Sequence, residues 1–213
     1  MRIFLDANII ADWLLVAPDV LSITEIDKKK AKLEELWKKY SAPKASFEIL
    51  ELLREGKIKN LKFFSSELAL SEVGDVVFKE SGSRSLAEKG VAFRYIPKMI
   101  RETKLSNPEI TGILDKVRCY RLAFKDKVIL HDKVKDPLFI LYTLSFFRIE
   151  TYDAYLISQA VDAKCRYFVT KDGPLRDNVK MQITKDGIEK YVIKLISPEE
   201  LLKIINKKRA KIK

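Results

Sequence analysis

The sequence predicts an α/β fold in which helices cover both faces of a parallel sheet. Short apolar runs of strand type recur along the chain, helix-type stretches separate them, and two of the runs end on an aspartate or one residue short of it. With 213 residues, 47% hydrophobic and 33% charged, the chain can bury one sizeable core and is too apolar for disorder. No apolar stretch approaches the ~20 residues of a membrane helix.

The first element is a strand at residues 2–5, closed by Asp6 and followed past Asn8 by the helical run 9–15. Helices are expected at about 25–40 (Leu33, Leu36, Trp37 on one face) and 46–55 (Phe47, Leu50, Leu53), the second stopped by Gly56. A strand at 60–65 then leads into a helix carrying Leu70, Glu72, Val73 and Val77. Residues of about 81–150 read as an all-helical insertion, with helices near 85–101 and 109–124 and an apolar core run at 138–147. The last third returns to alternation: helix 152–163, strand 166–170, turn 171–174 and strand 191–196. Ser197-Pro198-Glu199-Glu200 is a capping box that opens a final helix and a basic tail of about 206–213. The whole, 1–213, is expected to form one domain.

Two cysteines, Cys119 and Cys165, are too few for a disulfide framework and are expected as small buried hydrophobes. The single histidine, His131, leaves no multi-histidine metal centre and is expected in a structural or surface role. Asp6 interrupts the amino end where a secretory signal needs an apolar stretch, so a cytoplasmic protein without a membrane partner is expected. Lysine and arginine number 41 against 30 acids, a net charge of +11. That surplus favours a polyanionic partner, because neutralised phosphates release counterions, although the runs at 28–30 and 207–209 also read as the solvated surface of a heat-adapted protein.

In open parallel sheets, ligands gather outside the carboxyl ends of the strands. Asp6 and Asp172 both fall there, and Asp153, 19 positions before Asp172, opens the preceding helix. One crossover of that length returns the chain to the same edge, so three acids converge. Like charges in a half-buried cleft raise one another's pKa, and a divalent cation reverses the cost. Oxygen donors without cysteine or histidine select Mg²⁺ or Mn²⁺, which suits phosphodiester hydrolysis.

Ile3-Phe4-Leu5-Asp6-Ala7-Asn8-Ile9-Ile10, Leu70-Ser71-Glu72-Val73, Thr151-Tyr152-Asp153-Ala154 and Phe168-Val169-Thr170-Lys171-Asp172 resemble the four ordered acidic motifs of PIN domains, the ribonuclease fold that includes VapC-type toxins. The resemblance implies a three-layer α/β/α sandwich and a metal-dependent endoribonuclease that cleaves single-stranded RNA, leaving a 5′-phosphate and a 3′-hydroxyl. It would place Asp6, Glu72, Asp153 and Asp172 around one or two Mg²⁺ or Mn²⁺ ions, with Asn8 and Thr170 in support. Lys171 and Arg176 are the nearest candidates for the RNA backbone. The 81 positions between Glu72 and Asp153 and the long early helices depart from the small-toxin branch. They offer surface for a homodimer, a substrate channel, or a protein inhibitor or processing partner.

Each acid also has an ordinary structural reading: Asp6 as a helix cap, Asp172 as a turn residue, Asp153 at the positive end of its helix. Glu67 and Asp75 flank Glu72 closely enough to take its place, and Asp12 and Asp177 read as surface or supporting residues. Two other functions compete. A catalytically inactive RNA-binding or assembly module would have no need of four clustered acids. A haloacid-dehalogenase-type phosphatase needs an aspartate two positions after the first, where this chain has Asn8.

Overall fold

The computed structural model describes residues 1–39, 43–102, 106–135, 138, 145, 148–186 and 193–210. Its strands are β1 (Arg2–Leu5), β2 (Lys62–Ser65), β3 (Val128–Leu130), β4 (Tyr167–Val169) and β5 (Lys194–Ile196). They form one five-stranded sheet in the order β3-β2-β1-β4-β5, with every neighbouring pair parallel. The helices are α1 (Ala7–Leu21), α2 (Ile26–Lys39), α3 (Lys44–Arg54), α4 (Glu67–Glu88), α5 (Ile96–Glu102), α6 (Asn107–Phe124), α7 (Thr151–Asp162), α8 (Gly173–Asp186) and α9 (Pro198–Ala210). The chain builds outward from β1 through β2 to β3, then returns to add β4 and β5 on the other side. Right-handed crossovers running in opposite directions put their helices on opposite faces, which is consistent with three layers. No helix among the described residues is long and apolar enough to cross a membrane.

A strand covered on both faces has no use for alternation, and β1 shows none. Ile3, Phe4 and Leu5 are all fully buried. Phe4 stacks on Phe168 of the neighbouring β4, with ring centroids 5.6 Å apart. Trp13 of α1 meets Tyr120 and Phe124 of α6 edge-on, at 6.1 and 5.1 Å. Its indole nitrogen donates to Glu51 Oε1 at 2.9 Å, and Arg54 binds both oxygens of that carboxylate. Burial pushes Glu51 up, but the hydrogen bonds from Arg54 and Trp13 and the charges of Arg54 and Lys29 outweigh it and hold Glu51 below the usual range.

Several expectations need correction. β3 lies inside the stretch expected to be wholly helical: its three residues are too short for a period to show, and Ile129 and Leu130 face outward at the sheet edge. The helix expected over 85–101 is broken, because Gly90 (φ +80) ends α4 in a left-handed turn before Phe93–Tyr95 and α5. Residues 173–174 open α8 instead of completing a turn, and residues 207–210 of the expected tail belong to the last turn of α9. Cys165 is buried as expected, but Cys119 is exposed. The run 138–147 lies outside the described residues except for Leu138 and Ser145, both exposed, as do 191–192 of the last expected strand. His131 sits just beyond β3, and its Nε2 meets Asp162 Oδ2 of α7 at 2.8 Å.

Gly56 ends α3 as expected. With φ +68 it lets its own amide reach Leu53 O at 3.0 Å and the Lys57 amide reach Leu52 O at 2.9 Å. Nothing would touch an added Cβ there, so Gly56→Ala tests backbone strain alone. It should lower unfolding free energy by about 1 kcal/mol in a urea titration with an unchanged m-value.

Candidate functional site

Strand order reverses at β1, so the carboxyl ends of β1 and β4 flank the switch point at which open α/β sheets bind ligands. Asp6 follows β1 there and is 5% exposed. Its Oδ1 accepts from the Ala7 amide at 2.7 Å, which caps α1. Its Oδ2 accepts from Asn8 Nδ2 at 2.8 Å and from Thr170 Oγ1 at 2.6 Å. Thr170 Oγ1 in turn accepts from Asn8 Nδ2 and the Asp172 amide, while the Lys171 amide donates to Asn8 Oδ1 at 3.3 Å. These bonds stitch the loop after β4 to the first turn of α1. Asp172 Oδ1 accepts from the Leu175 amide at 2.7 Å in the opening turn of α8. Asp6 and Asp172 thus hold the helix-starting roles open to them as structural residues, and in holding them they are fixed in place.

Glu72 and Asp153 are positioned differently. Ser66 caps α4 by accepting from the Ala69 amide, and that start sets the register that brings Glu72 into reach of Asp6. Asp153 lies in the first turn of α7, and the capping position of that helix is Glu150. Neither the Glu72 nor the Asp153 carboxylate accepts a hydrogen bond among the described residues.

The electrostatics tie the four acids together. Burial is the main force raising Asp6 to about 6; the Thr170, Ala7 and Asn8 hydrogen bonds oppose it, and the charge of Glu72 adds to it. Burial also leads in raising Asp153 to about 6, followed by the negative charges of Asp6, Asp172 and Glu150. Glu72 is raised by burial and then by Asp153, with a lesser contribution from Asp75 and relief from Lys79. The rival acids on α4 are engaged elsewhere: Glu67 pairs with Arg121, and Asp75 with Lys79. Glu150 is a fifth negative group that sequence reasoning missed. Its spacing of three from Asp153 across one helical turn was the available signal.

The cations near the site are also placed. Lys171 Nζ donates to Asp12 Oδ1 at 2.7 Å, and Asp12, expected at the surface or in support, is only 3% exposed. Burial raises Asp12 while the Lys171 charge and hydrogen bond pull it down, leaving it above its ordinary value, and its Oδ2 has no partner. Asn8 and Asp12 are one turn apart on α1, so the pair clamps the 170–172 loop at a second point. Arg176 Nε donates to Asp172 O at 3.3 Å, and its Nη1 lies 4.0 Å from Glu200.

The donor set fits a hard divalent cation: it is all oxygen, it is negative, and two of its carboxylates are free of hydrogen bonds. As the side chains stand, no group of three among the described residues is arranged to hold an ion. Neither Glu72 nor Asp153 is held in its present orientation by a hydrogen bond among the described residues. No protein-family model matches this chain, and no curated protein does.

An acid raised in the folded state destabilises the fold as it ionises. The penalty is absent below the unfolded value near 4 and complete above about pH 6. For Asp6, from 3.8 to about 6 corresponds to roughly 3 kcal/mol. In chelator, Asp153→Asn should therefore melt several degrees above the parent at pH 7.5, with the gap closing as pH falls through 6 towards 4. An equal gap at all pH values would mean that ionising Asp153 carries no penalty in the fold. Lys171→Met leaves the Asp12 charge buried and alone and should cost about 3 kcal/mol in chemical denaturation, most of it recovered in Lys171→Met with Asp12→Asn.

Proposed function

We propose that this chain is a PIN-type endoribonuclease that cleaves single-stranded RNA, using one or two Mg²⁺ or Mn²⁺ ions held by Asp6, Glu72, Asp153 and Asp172. The observation that carries the reading is the coupling among these four acids at the switch point, where burial and like charge raise both Asp6 and Asp153 to about 6. Keeping ionised carboxylates together at such a place has a use when a cation neutralises them.

When bound, such an ion supplies Lewis acidity and lowers the pKa of its water. The residues of the chain do the rest. Asn8 and Thr170 fix the orientation of Asp6, and the turn into α8 fixes Asp172. Glu72 and Asp153 keep oxygens free to orient the attacking water and take up its proton. The water oxygen forms a new bond to phosphorus and the bond to the 3′ oxygen breaks, that oxygen taking a proton from solvent, which gives a 3′-hydroxyl and a 5′-phosphate. Arg176, whose Nε donates to Asp172 O, is the candidate for a backbone phosphate; Lys171 would reach one only by leaving Asp12.

The present side-chain arrangement, with no three ligands gathered among the described residues, favours a second reading: a non-catalytic RNA-binding module. One experiment separates the two. Incubated with a mixed RNA pool and Mn²⁺, the parent should yield 5′-phosphate ends, and Asp153→Asn should slow cleavage at least 100-fold. Mn²⁺ should also raise the parent melting temperature by several degrees and leave that of Asp153→Asn nearly unchanged. RNA binding with neither cleavage nor a Mn²⁺ shift establishes the module instead.

A further inference from the structure

The +11 surplus is not spread evenly. Opposite the acids, at the amino ends of the strands, two basic runs about 150 positions apart in sequence come together: the loop between α3 and β2, and the last turn of α9. They line a cavity of about 190 Å³ whose rim is Lys57, Lys59, Lys208 and Arg209 and whose floor is Ile58, Leu61 and Ile205. Beside it the parallel register aligns Arg2 with Lys62, and the Arg166 amide donates to Arg2 O at 3.0 Å. Three cations therefore stand in a row at strand spacing of about 4.8 Å.

Cations at this edge have an ordinary explanation, because α3, α7 and α9 all end there and helix carboxyl termini carry partial negative charge. The cations that serve those ends can be identified. Arg2 Nη1 donates to Ala163 O at 2.8 Å, just past α7, and Lys127 Nζ donates to Arg54 O at the end of α3. Lys57 is paired with Glu55 at 2.7 Å. Lys59, Lys62, Lys208 and Arg209 have no carboxylate or carbonyl partner among the described residues. None of these four cations is therefore spent on a helix terminus through a hydrogen bond. An apolar floor under a rim of unpaired cations suits a polymer with alternating charged and uncharged parts. Among the described residues that line the cavity there is no aromatic side chain of the kind that anchors a membrane or a protein hot spot.

We propose that this edge is a second binding surface for the phosphodiester backbone of RNA, separate from the acidic site and on the opposite side of the sheet. The choice of RNA rests on the endoribonuclease reading; the polyanion surface does not. It holds the strand while the acids, which would repel phosphates unaided, act on another part of it.

The test is binding of a labelled 30-nucleotide single-stranded RNA in chelator, where no cleavage occurs. Lys59→Glu with Lys208→Glu should weaken binding at least tenfold at 100 mM salt and reduce the slope of log affinity against log salt by about 1.4, as expected for two lost phosphate contacts. Lys28→Glu with Lys32→Glu on α2, an equal change in net charge, should alter affinity less than twofold. Equal weakening by both pairs, or by neither, overturns the proposal, as does tighter binding of the parent to anionic lipid vesicles than to RNA. Should the reversed variant fail to fold, photo-crosslinking of a thiouridine-containing RNA to the parent should label residues 57–62 and 203–210; absence of label from both segments overturns the proposal. Because no metal or cleavage enters these measurements, a failed nuclease assay leaves their outcome intact.

Discussion

The structure turns on one constraint: a carboxylate with almost no water around it, at the point where the sheet reverses its strand order. Asp6 is tolerated there because three donors converge on it, from its own helix start, from Asn8 and from Thr170. Those donors also fix the geometry, since Thr170 can serve Asp6 only if β4 lies beside β1 in the observed register. Other acids then approach the same place. Their repulsion is held in check by rigid placement of Asp6 and Asp172, whereas Glu72 and Asp153 carry the strain on free side chains. The result is half preorganised and half adjustable, an arrangement suited to a ligand that arrives charged.

The division between what the sequence disclosed and what it hid follows from the range of each interaction. Asp6 and Asp172 were legible because each stands at or near the end of an apolar strand and starts a helix, signals written in neighbouring residues. Gly56 and the capping box at Ser197 were legible for the same reason, and the box is present, with the Ser197 amide donating to Glu200 Oε2 at 2.9 Å. β3 was hidden because three residues cannot display a period and its neighbours are helical. The burial of Asp12 was hidden because its partner lies 159 positions away, and an isolated aspartate on a helix reads as surface. Gly90 was a visible signal given too little weight against the apolar residues around it.

Charge shows the same limit. Composition gave the surplus, and the two lysine-rich runs looked like solvated surface when read singly. Only the fold brings one of them against the loop before β2, and only the fold sets acids and bases on opposite edges of one sheet. A strand of only four residues separates the two groups.

The Thr170-to-Asp6 hydrogen bond spans 164 positions. During synthesis, at typical elongation rates, the amino-terminal strand therefore waits on the order of ten to thirty seconds for the partner that completes its surroundings. Over that interval β1 is flanked on one side only, and its aspartate stays hydrated with an ordinary affinity for protons. Only when nearly all of the chain has been made can β4 pair with β1, and parallel pairing across so long a stretch of sequence is intrinsically slow to form.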